Sequence, residues 1–310
     1  MLTGLGVGGL AVEVDQQLLD RQAVHGEQIG IGRVHHHRCA NAIEGSGAGH
    51  AYLSTASFLG RDDVNDIESI LRDDERSFGT SSHSVTTRGD AVFTWDYERS
   101  RPGLSKLYEK AKTGQWNGAT DLDWSIEVDQ EAVVRANQAN MQSAFGDMDL
   151  KGTPFESWGE DEWVRLGVEG QNWSLSQFMH GEQGALICTA QIVETVPWID
   201  AKYYAATQVM DEARHVEVFA RYLNTKLSGH YPINAHLGLL LDDILADSRW
   251  DMTYLGMQIM VEGLALAAFG MMHFMNPHEK LLHQITNYVI RDEARHVAFG
   301  VLSLEEVYAD

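Results

Sequence analysis

The six residues Asp-Glu-Ala-Arg-His-Val occur twice in this chain, at 211–216 and again at 292–297. Each copy contains a Glu-x-x-His pair, and on an α-helix this spacing places both side chains on one face. The pairs are Glu212 with His215, and Glu293 with His296. Four-helix bundles that hold two metal ions take such a pair from each of two helices and one Glu from each of the other two. The repeat therefore predicts a helical bundle with two further glutamates in its core.

Two glutamates lie at suitable distances along the chain. Glu182 lies 30 residues before Glu212, and Glu262 lies 31 residues before Glu293. Each interval has a proline near its midpoint, because Pro197 follows Glu182 by 15 residues and Pro277 follows Glu262 by 15. Two antiparallel helices bring residues to the same height only when the turn lies midway between them. Both hairpins therefore predict that the four glutamates share one layer.

The chemistry of these side chains favours a metal site over a structural cluster. Carboxylate oxygens suit iron and manganese and can bridge two ions, and a neutral imidazole completes each ion. Four carboxylates balance the charge of two divalent cations. Without the cations, four glutamates in a bundle core would carry a large cost of desolvation and repulsion.

The residues beside the candidate ligands are suited to holding the histidines in place. A metal-binding His usually donates its free N–H to a carboxylate, which fixes its tautomer. We expect Asp211 to serve His296 and Asp292 to serve His215. Arginines next to each His can brace these aspartates through charge-assisted hydrogen bonds. They are Arg214 and Arg295.

With these motifs, residues 170–308 resemble the ferritin-like di-iron carboxylate superfamily. The sequence Asp-Glu-x-Arg-His in both pairs is similar to its oxygen-activating branch, which includes bacterial multicomponent monooxygenases, ribonucleotide reductase small subunits and arylamine N-oxygenases. The resemblance implies an all-α fold, a ferritin-like four-helix bundle with a dimetal core and extra N-terminal helices. It also implies two iron ions and dioxygen as co-substrate, although manganese suits the same ligands.

Three positions depart from the individual families of this branch. Phe219 stands four residues after the first candidate ligand His, where ribonucleotide reductase small subunits usually carry a radical Tyr. Val289 stands where arylamine N-oxygenases add a third His, and Leu266 stands where multicomponent hydroxylases tend to carry a Thr. The sequence therefore matches none of the three families fully.

Three functions remain open from the sequence. The first is a di-iron oxygenase that hydroxylates or N-oxygenates a small organic substrate. Its electrons would come from a separate ferredoxin or reductase, because no Gly-rich dinucleotide motif follows a strand. The second is a radical or metal-oxidant generator that resembles a ribonucleotide reductase small subunit. The third is an iron protein that acts as a ferroxidase or handles peroxide. We expect the first.

Composition limits the partners and the compartment. A net charge of -22 disfavours nucleic acid and anionic membranes as partners. Cys39 and Cys188 form neither a disulfide framework nor a zinc motif, which favours the cytoplasm. The apolar stretch 252–275 contains one acidic residue, Glu262, near its centre, and a charge there favours a buried bundle helix over a membrane span.

The chain divides into three predicted parts. Residues 1–85 are rich in glycine and show no helical or strand period, so we expect little regular structure there. Residues 86–170 read as an aromatic-rich helical lead-in packed on the bundle, with a helix over 129–145 and a short helix over 160–167. Residues 171–310 form the bundle. An open flank beside the last ligand helix would need covering, and we expect a homodimer.

Overall fold

All regular secondary structure is helical in the part of the chain that this computed structural model describes, residues 82–145, 150–153, 155–305 and 307–308. The expected unstructured segment 1–85 lies outside the described residues except for its last four. In chain order the helices are α1 (Pro102–Thr113), α2 (Gln130–Phe145), α3 (Glu160–Thr195), α4 (Ile199–Lys226), α5 (Ala235–Ala246), α6 (Trp250–Tyr254), a π-helical segment (Leu255–Val261), α7 (Glu262–Met275) and α8 (Lys280–Glu305).

Two helical hairpins form the bundle. Helices α3 and α4 pack along their lengths, and α7 packs in the same way on α8. Pro197 lies between the end of α3 and the start of α4, and Pro277 lies between α7 and α8. Proline cannot continue a helix and restricts the residue before it, so each ends a helix at the midpoint that the sequence indicated. The prediction of an all-α fold with a four-helix bundle is confirmed.

Side chains satisfy the free backbone groups where these helices begin. The carboxylate of Glu162 accepts a hydrogen bond of 2.9 Å from the backbone N–H of Gly159, which precedes α3. Asn234 caps α5 by accepting from the backbone N–H of Leu237 at 3.0 Å. Glu279 precedes α8 and accepts from the backbone N–H of Leu281 at 3.2 Å. Such caps stabilise a helix by about 1 kcal/mol each.

The segment before the bundle is anchored to the start of α4. Asp200 in the first turn of α4 accepts hydrogen bonds from Ser105 Oγ at 2.8 Å and from the backbone N–H of Arg101 at 3.2 Å. Arg99 Nε donates to the same carboxylate at 3.2 Å. The buried side chains Leu104 and Leu107 of α1 join one core cluster with residues of α3, α4 and α8. Helix α1 is thereby held against the bundle, and the chain after α1 runs close to the first copy of the repeat at 211–216.

The sequence expectation of a separate short helix over 160–167 is wrong. Helix α3 runs unbroken from Glu160 to Thr195. Residues 160–171, where the predicted break lies, contain no proline, and their two glycines, Gly167 and Gly170, lower helix propensity without ending a helix. At Gly167 a Cβ would lie 2.4 Å from Val134 Cγ1 of α2, so this glycine permits close packing of the two helices.

The helical stretch Trp250–Met275, which comprises α6, the π-helical segment and α7, is long and apolar enough to cross a membrane by length and composition alone. Glu262 in the middle of the stretch is buried at the centre of the bundle, beside other carboxylates. Side chains that point away from the bundle are exposed, and they include Leu264, Met271 and Phe274. The stretch thus buries three polar residues, Thr253, Gln258 and Glu262, and presents an apolar face outward.

Gly300 marks the closest approach between α8 and the π-helical segment. A Cβ at this position would lie 2.6 Å from Gln258 Cβ and 3.0 Å from Ile259 Cδ1. The substitution Gly300→Ala should therefore separate the two helices and lower the free energy of unfolding by about 1–3 kcal/mol. Chemical denaturation measures this change. Gly170→Ala on α3, where nothing lies within 4 Å, is the control and should not destabilise the protein.

Candidate metal centre

Six side chains from four helical stretches meet in the middle of the bundle. Glu182 comes from α3, Glu212 and His215 come from α4, Glu262 begins α7, and α8 supplies the remaining pair, Glu293 and His296. None is more than 5% exposed. The structure thus brings together all six residues that the sequence singled out.

The ligand atoms form two overlapping clusters, each with its atoms within 4.8 Å of one another. In the first, His215 Nδ1 lies 3.0 Å from Glu182 Oε2 and 3.2 Å from Glu293 Oε1. The first cluster also includes Glu212. In the second cluster, His296 Nδ1 lies 3.1 Å from Glu212 Oε1. Glu212 therefore belongs to both clusters, as a bridging carboxylate would.

The second cluster is completed by Glu262, whose Oε2 lies 3.4 Å from His296 Nδ1. Each cluster contains one imidazole and at least two carboxylates, a donor set that suits iron or manganese. Carboxylates at such distances in a buried site repel one another unless protons or cations lie between them. The arrangement could therefore hold two cations.

Burial and mutual repulsion perturb the protonation of the carboxyl groups. Burial, together with the charge of Glu293, raises the pKa of Glu182 well above its usual range. Burial and the neighbouring Glu212 do the same to the pKa of Glu262. Burial also acts on Glu293, but the neighbouring Glu262 carboxyl group and the charge of His296 outweigh it and lower the pKa of Glu293 to about 2. When no cation is bound, Glu182 and Glu262 therefore favour the protonated form and Glu293 the ionised form.

The pKa of both histidines is raised, although burial by itself would lower it. Burial favours the neutral imidazole of His215, but the charge of Glu182 and a hydrogen bond to Asp292 outweigh it and raise the pKa well above its ordinary value. The pKa of His296 is raised in the same way, chiefly by Glu212 against the effect of burial. Metal ions bind neutral imidazole and ionised carboxylate, so binding must release protons.

This proton balance predicts how the metal-free protein responds to pH. Groups with a raised pKa hold protons in the folded state that the unfolded chain has lost, so their stabilisation is complete below the unfolded pKa and lost as the pH rises through the folded pKa. We expect the unfolding temperature of the metal-free protein to fall as the pH rises above the ordinary pKa of histidine, because Glu182, Glu262 and both histidines keep protons in the folded state that the unfolded chain loses. Groups with a lowered pKa, such as Glu212, make the stability depend on pH only at lower pH.

The metal-loaded protein should change less over the same pH range, because the cations replace the protons. Calorimetry of both forms measures the difference. A metal-free protein whose unfolding temperature rose with pH would contradict the proton balance described above.

The far nitrogen of each histidine faces an aspartate from the opposite copy of the repeat. His215 Nε2 lies 3.1 Å from Asp292 Oδ2, and His296 Nε2 lies 3.4 Å from Asp211 Oδ2. Each imidazole is thus held with Nδ1 toward the glutamates. The contacts have the crossed pairing that the sequence suggested.

Two arginines join these aspartates in a closed ring of charges. Arg214 contacts Asp211 and also lies 3.2 Å from Asp292 Oδ2. Arg295 contacts Asp292 and lies 3.1 Å from Asp211 Oδ2. Since α4 carries one Asp–Arg pair and α8 carries the other, the ring links the two hairpins next to the Nε2 atoms of the histidines.

Two residues before the bundle also reach this ring, and sequence analysis did not assign them to the site. Gln115 Nε2 donates to Asp211 Oδ1 at 2.8 Å, and Trp116 Nε1 donates to Asp292 Oδ2 at 2.8 Å. The Trp116 ring also lies 4.7 Å from the guanidinium carbon of Arg214. The sequence analysis treated Trp116 only as an aromatic of the lead-in, because a contact 176 residues away along the chain leaves no local pattern.

A third residue that sequence analysis missed lies among the glutamates themselves. Gln208 of α4 is fully buried, and its Nε2 donates to Glu212 Oε1 at 2.8 Å and to Glu262 Oε1 at 3.0 Å. Its position four residues before Glu212 places it on the same helix face. That spacing was the available signal.

The π-helical segment Leu255–Val261 ends immediately before Glu262. A π-helical turn holds an extra residue relative to an α-helix and is found mostly at functional sites. The segment sets the rotation at which Glu262 enters the bundle. The sequence contains no signal for it, and we have no physical account of why it forms here rather than elsewhere in the stretch.

Unpartnered atoms test whether metal ions fit this site. The buried atoms Glu212 Oε2, Glu293 Oε1, Glu293 Oε2 and His296 Nδ1 form no hydrogen bond within the described part of the protein. Buried polar atoms are normally satisfied, and each exception needs a partner. Cations between the two clusters would supply partners for all four atoms, so the residues fit a dimetal centre.

A largely apolar cavity of about 370 Å³ leads from the surface to the centre. Its inner end is formed by Glu182, Glu262 and Glu293. Apolar and aromatic side chains make up most of the wall, and they include Trp173, Phe178, Leu237, Leu240, Leu264 and Ala265. A cavity of this kind accommodates a small organic molecule beside the carboxylates.

No protein-family model matches the chain, and no curated protein matches it. Solved structures of R2-like ligand-binding oxidase variants are similar. One, with an anaerobically reconstituted Mn/Fe cofactor, is 21% identical with a TM-score of 0.48, over 69% of this chain and 74% of that chain. Another, aerobically reconstituted, is 22% identical with a TM-score of 0.48, over 69% and 75% of the respective chains.

Proposed function

We propose that this protein is a non-haem di-iron enzyme that uses dioxygen to oxidise a small organic substrate. The observation that carries the proposal is the buried pair of clusters, with four glutamates, two histidines and four unpartnered ligand atoms, at the end of an apolar cavity. Neither a structural core nor a simple ligand pocket needs such a costly group of buried charges.

The roles of the six side chains follow from their positions. Glu182 and His215 would hold one ion, and Glu262 and His296 would hold the other. Glu212, which belongs to both clusters, would bridge them. Glu293 lies 3.2 Å from His215 Nδ1 and 3.6 Å from His296 Nδ1, so it is placed to contact both ions. Two iron ions in this site would supply the activation of dioxygen, and manganese suits the same donors.

The cavity favours an uncharged, mainly apolar substrate. Its inner end carries three carboxylates and its wall is apolar, so an anionic substrate would meet repulsion and a strongly polar one would lose hydration without replacement. Gln177 and Asn234 lie near the wall and bond to each other at 2.9 Å. Hydroxylation or N-oxygenation of such a substrate is the reaction that we expect.

A tyrosyl radical at position 219 is excluded, because the residue there is a phenylalanine. Phe219 stands at the position where ribonucleotide reductase small subunits usually carry a radical Tyr. Its ring stacks on that of Phe269, with ring centroids 5.5 Å apart. Phe219 is fully buried in the apolar core beside Phe269. An oxidant generated here would act on a molecule in the cavity, on a partner protein, or on the metal ions themselves, as in a ferroxidase.

The test combines a metal count with a dioxygen reaction. Protein produced with both iron and manganese supplied should contain two transition-metal ions per chain by elemental analysis. After anaerobic chemical reduction it should consume dioxygen, as measured with an oxygen electrode. Addition of small apolar compounds should then yield oxygenated products that mass spectrometry detects with ¹⁸O₂.

The outcomes separate the candidate functions. ¹⁸O in an organic product supports an oxygenase. Dioxygen uptake that depends on added Fe²⁺, without any organic product, supports a ferroxidase. A protein that binds fewer than two ions under all conditions contradicts the dimetal proposal. The variant Glu194→Gln, which alters an exposed glutamate of α3 outside the clusters, should behave as the wild type.

The remaining partners are proposals that the same protein can test. Electrons would come from a separate ferredoxin or reductase, and we place the protein in the cytoplasm, in keeping with the free thiol of the buried Cys188. The exposed apolar side chains of α7, Leu264, Met271 and Phe274, are the candidate surface of a homodimer. Light scattering after gel filtration measures the mass, and a monomer would contradict the dimer.

A further inference from the structure

Gln208 makes the two halves of the centre unequal. The two copies of the repeat are identical over six residues, but four residues before the glutamate the first copy has Gln208 and the second has Val289. Both side chains are fully buried. Val289 packs in an apolar core cluster, whereas the amide of Gln208 donates to two of the glutamates.

The two carboxylate oxygens of Glu262 have different neighbours. Oε1 of Glu262 accepts from Gln208 Nε2 at 3.0 Å, while Oε2 lies 3.4 Å from His296 Nδ1 in the second cluster. The second bond of the amide, to Glu212 Oε1 at 2.8 Å, fixes its orientation from one turn away on the same helix. The amide therefore engages one oxygen of Glu262, while the other oxygen faces His296.

We propose that Gln208 is a positioning residue that restricts Glu262 to one metal-facing oxygen and so keeps a coordination position open on the ion beside His296. This inference rests on the proposed dimetal centre. A carboxylate that binds through both oxygens occupies two positions of a metal ion, and one that binds through a single oxygen occupies one. Glu262 lines the cavity, so a small molecule that enters the cavity would reach this carboxylate.

Azide is a suitable probe, because it binds directly to an open position on an oxidised metal ion and changes its absorbance. In Gln208→Met the side chain keeps its length but loses both N–H donors, which frees Glu262 to bind through both oxygens. We expect this variant to retain two ions per chain and to bind azide at least about tenfold more weakly than the wild type. Elemental analysis and an absorbance titration measure the two quantities.

Val289→Ala is the matched control at the equivalent position of the other repeat. It disturbs core packing near the centre without touching a carboxylate donor, and azide affinity should stay within about twofold of the wild type. Should Gln208→Met fail to fold, Gln208→Asn replaces it. Its amide is one methylene shorter and cannot span both glutamates, so the same weakening of azide binding is expected.

Two results would overturn the inference alone. One is wild-type azide affinity in a Gln208 variant that holds two ions. The other is loss of an ion from that variant, since Gln208 would then be needed to build the site rather than to keep it open. A wild-type protein that binds no metal would overturn the proposed function as well, so the two failures are distinguishable.

Discussion

Glu212→Gln should leave the purified protein with almost no bound metal. Glu212 is the one residue common to both clusters, so the substitution removes a charged ligand from both ion positions at once. An amide is neutral and offers one oxygen instead of two. Glu262→Gln affects only the second cluster and should leave one ion per chain. Elemental analysis of both variants, purified in parallel with the wild type, measures this difference.

The distinction between two lost ions and one tests the overlap of the clusters rather than the general importance of acidic residues. Glu194→Gln again serves as the control and should retain both ions. If Glu212→Gln and Glu262→Gln lost the same number of ions, Glu212 would not bridge the two positions. If Glu212→Gln kept two ions, the ligand assignment would be wrong.

Arg214→Met should destabilise the protein by about 3–5 kcal/mol, because it removes one partner from a buried group of charges. Arg214 is 5% exposed and contacts both Asp211 and Asp292. Its guanidinium carbon lies 4.7 Å from the centroid of the Trp116 ring. Without it, two buried aspartates keep only Arg295 as a cationic partner. Methionine preserves much of the volume, so the effect reports on charge more than on packing. Urea unfolding of the metal-loaded protein measures the loss.

Arg249→Met provides the comparison for the arginine substitution. Arg249 is exposed and pairs with Asp247 at 3.2 Å, and exposed pairs contribute little because water screens them. The urea midpoint of the Arg249→Met variant should match that of the wild type. A similar midpoint for Arg214→Met would show that the ring of two arginines and two aspartates does not stabilise the fold.

The candidate ligands were accessible from the sequence because their spacing follows from helix geometry. A separation of three residues pairs Glu212 with His215, and a proline midway along each interval places Glu182 and Glu262 at the same height. The crossed contacts of Asp211 and Asp292 were also accessible, since they involve neighbours of the ligands. These features involve residues close together in the sequence, or residues that two antiparallel hairpins bring to the same height.

Other parts of the site depend on contacts that no local pattern encodes. Trp116 reaches Asp292 only because α1 packs against the bundle and carries the following residues to the aspartates. The π-helical segment before Glu262 differs from an α-helix by a small change in hydrogen bonding, which residue propensities do not distinguish. The unbroken α3 was missed because two glycines lower propensity without showing whether packing outweighs them.

The sequence by itself determined the helical class, the two hairpins and the six candidate ligands of this protein, because helix periodicity and proline placement act over short stretches of chain. Only the tertiary structure decided which atoms face the ligands from elsewhere, including the amide of Gln208, and where an apolar cavity meets them. The physical reason is that side-chain packing and buried hydrogen bonds depend on the relative rotation and offset of whole helices, which are set jointly by residues far apart in the chain.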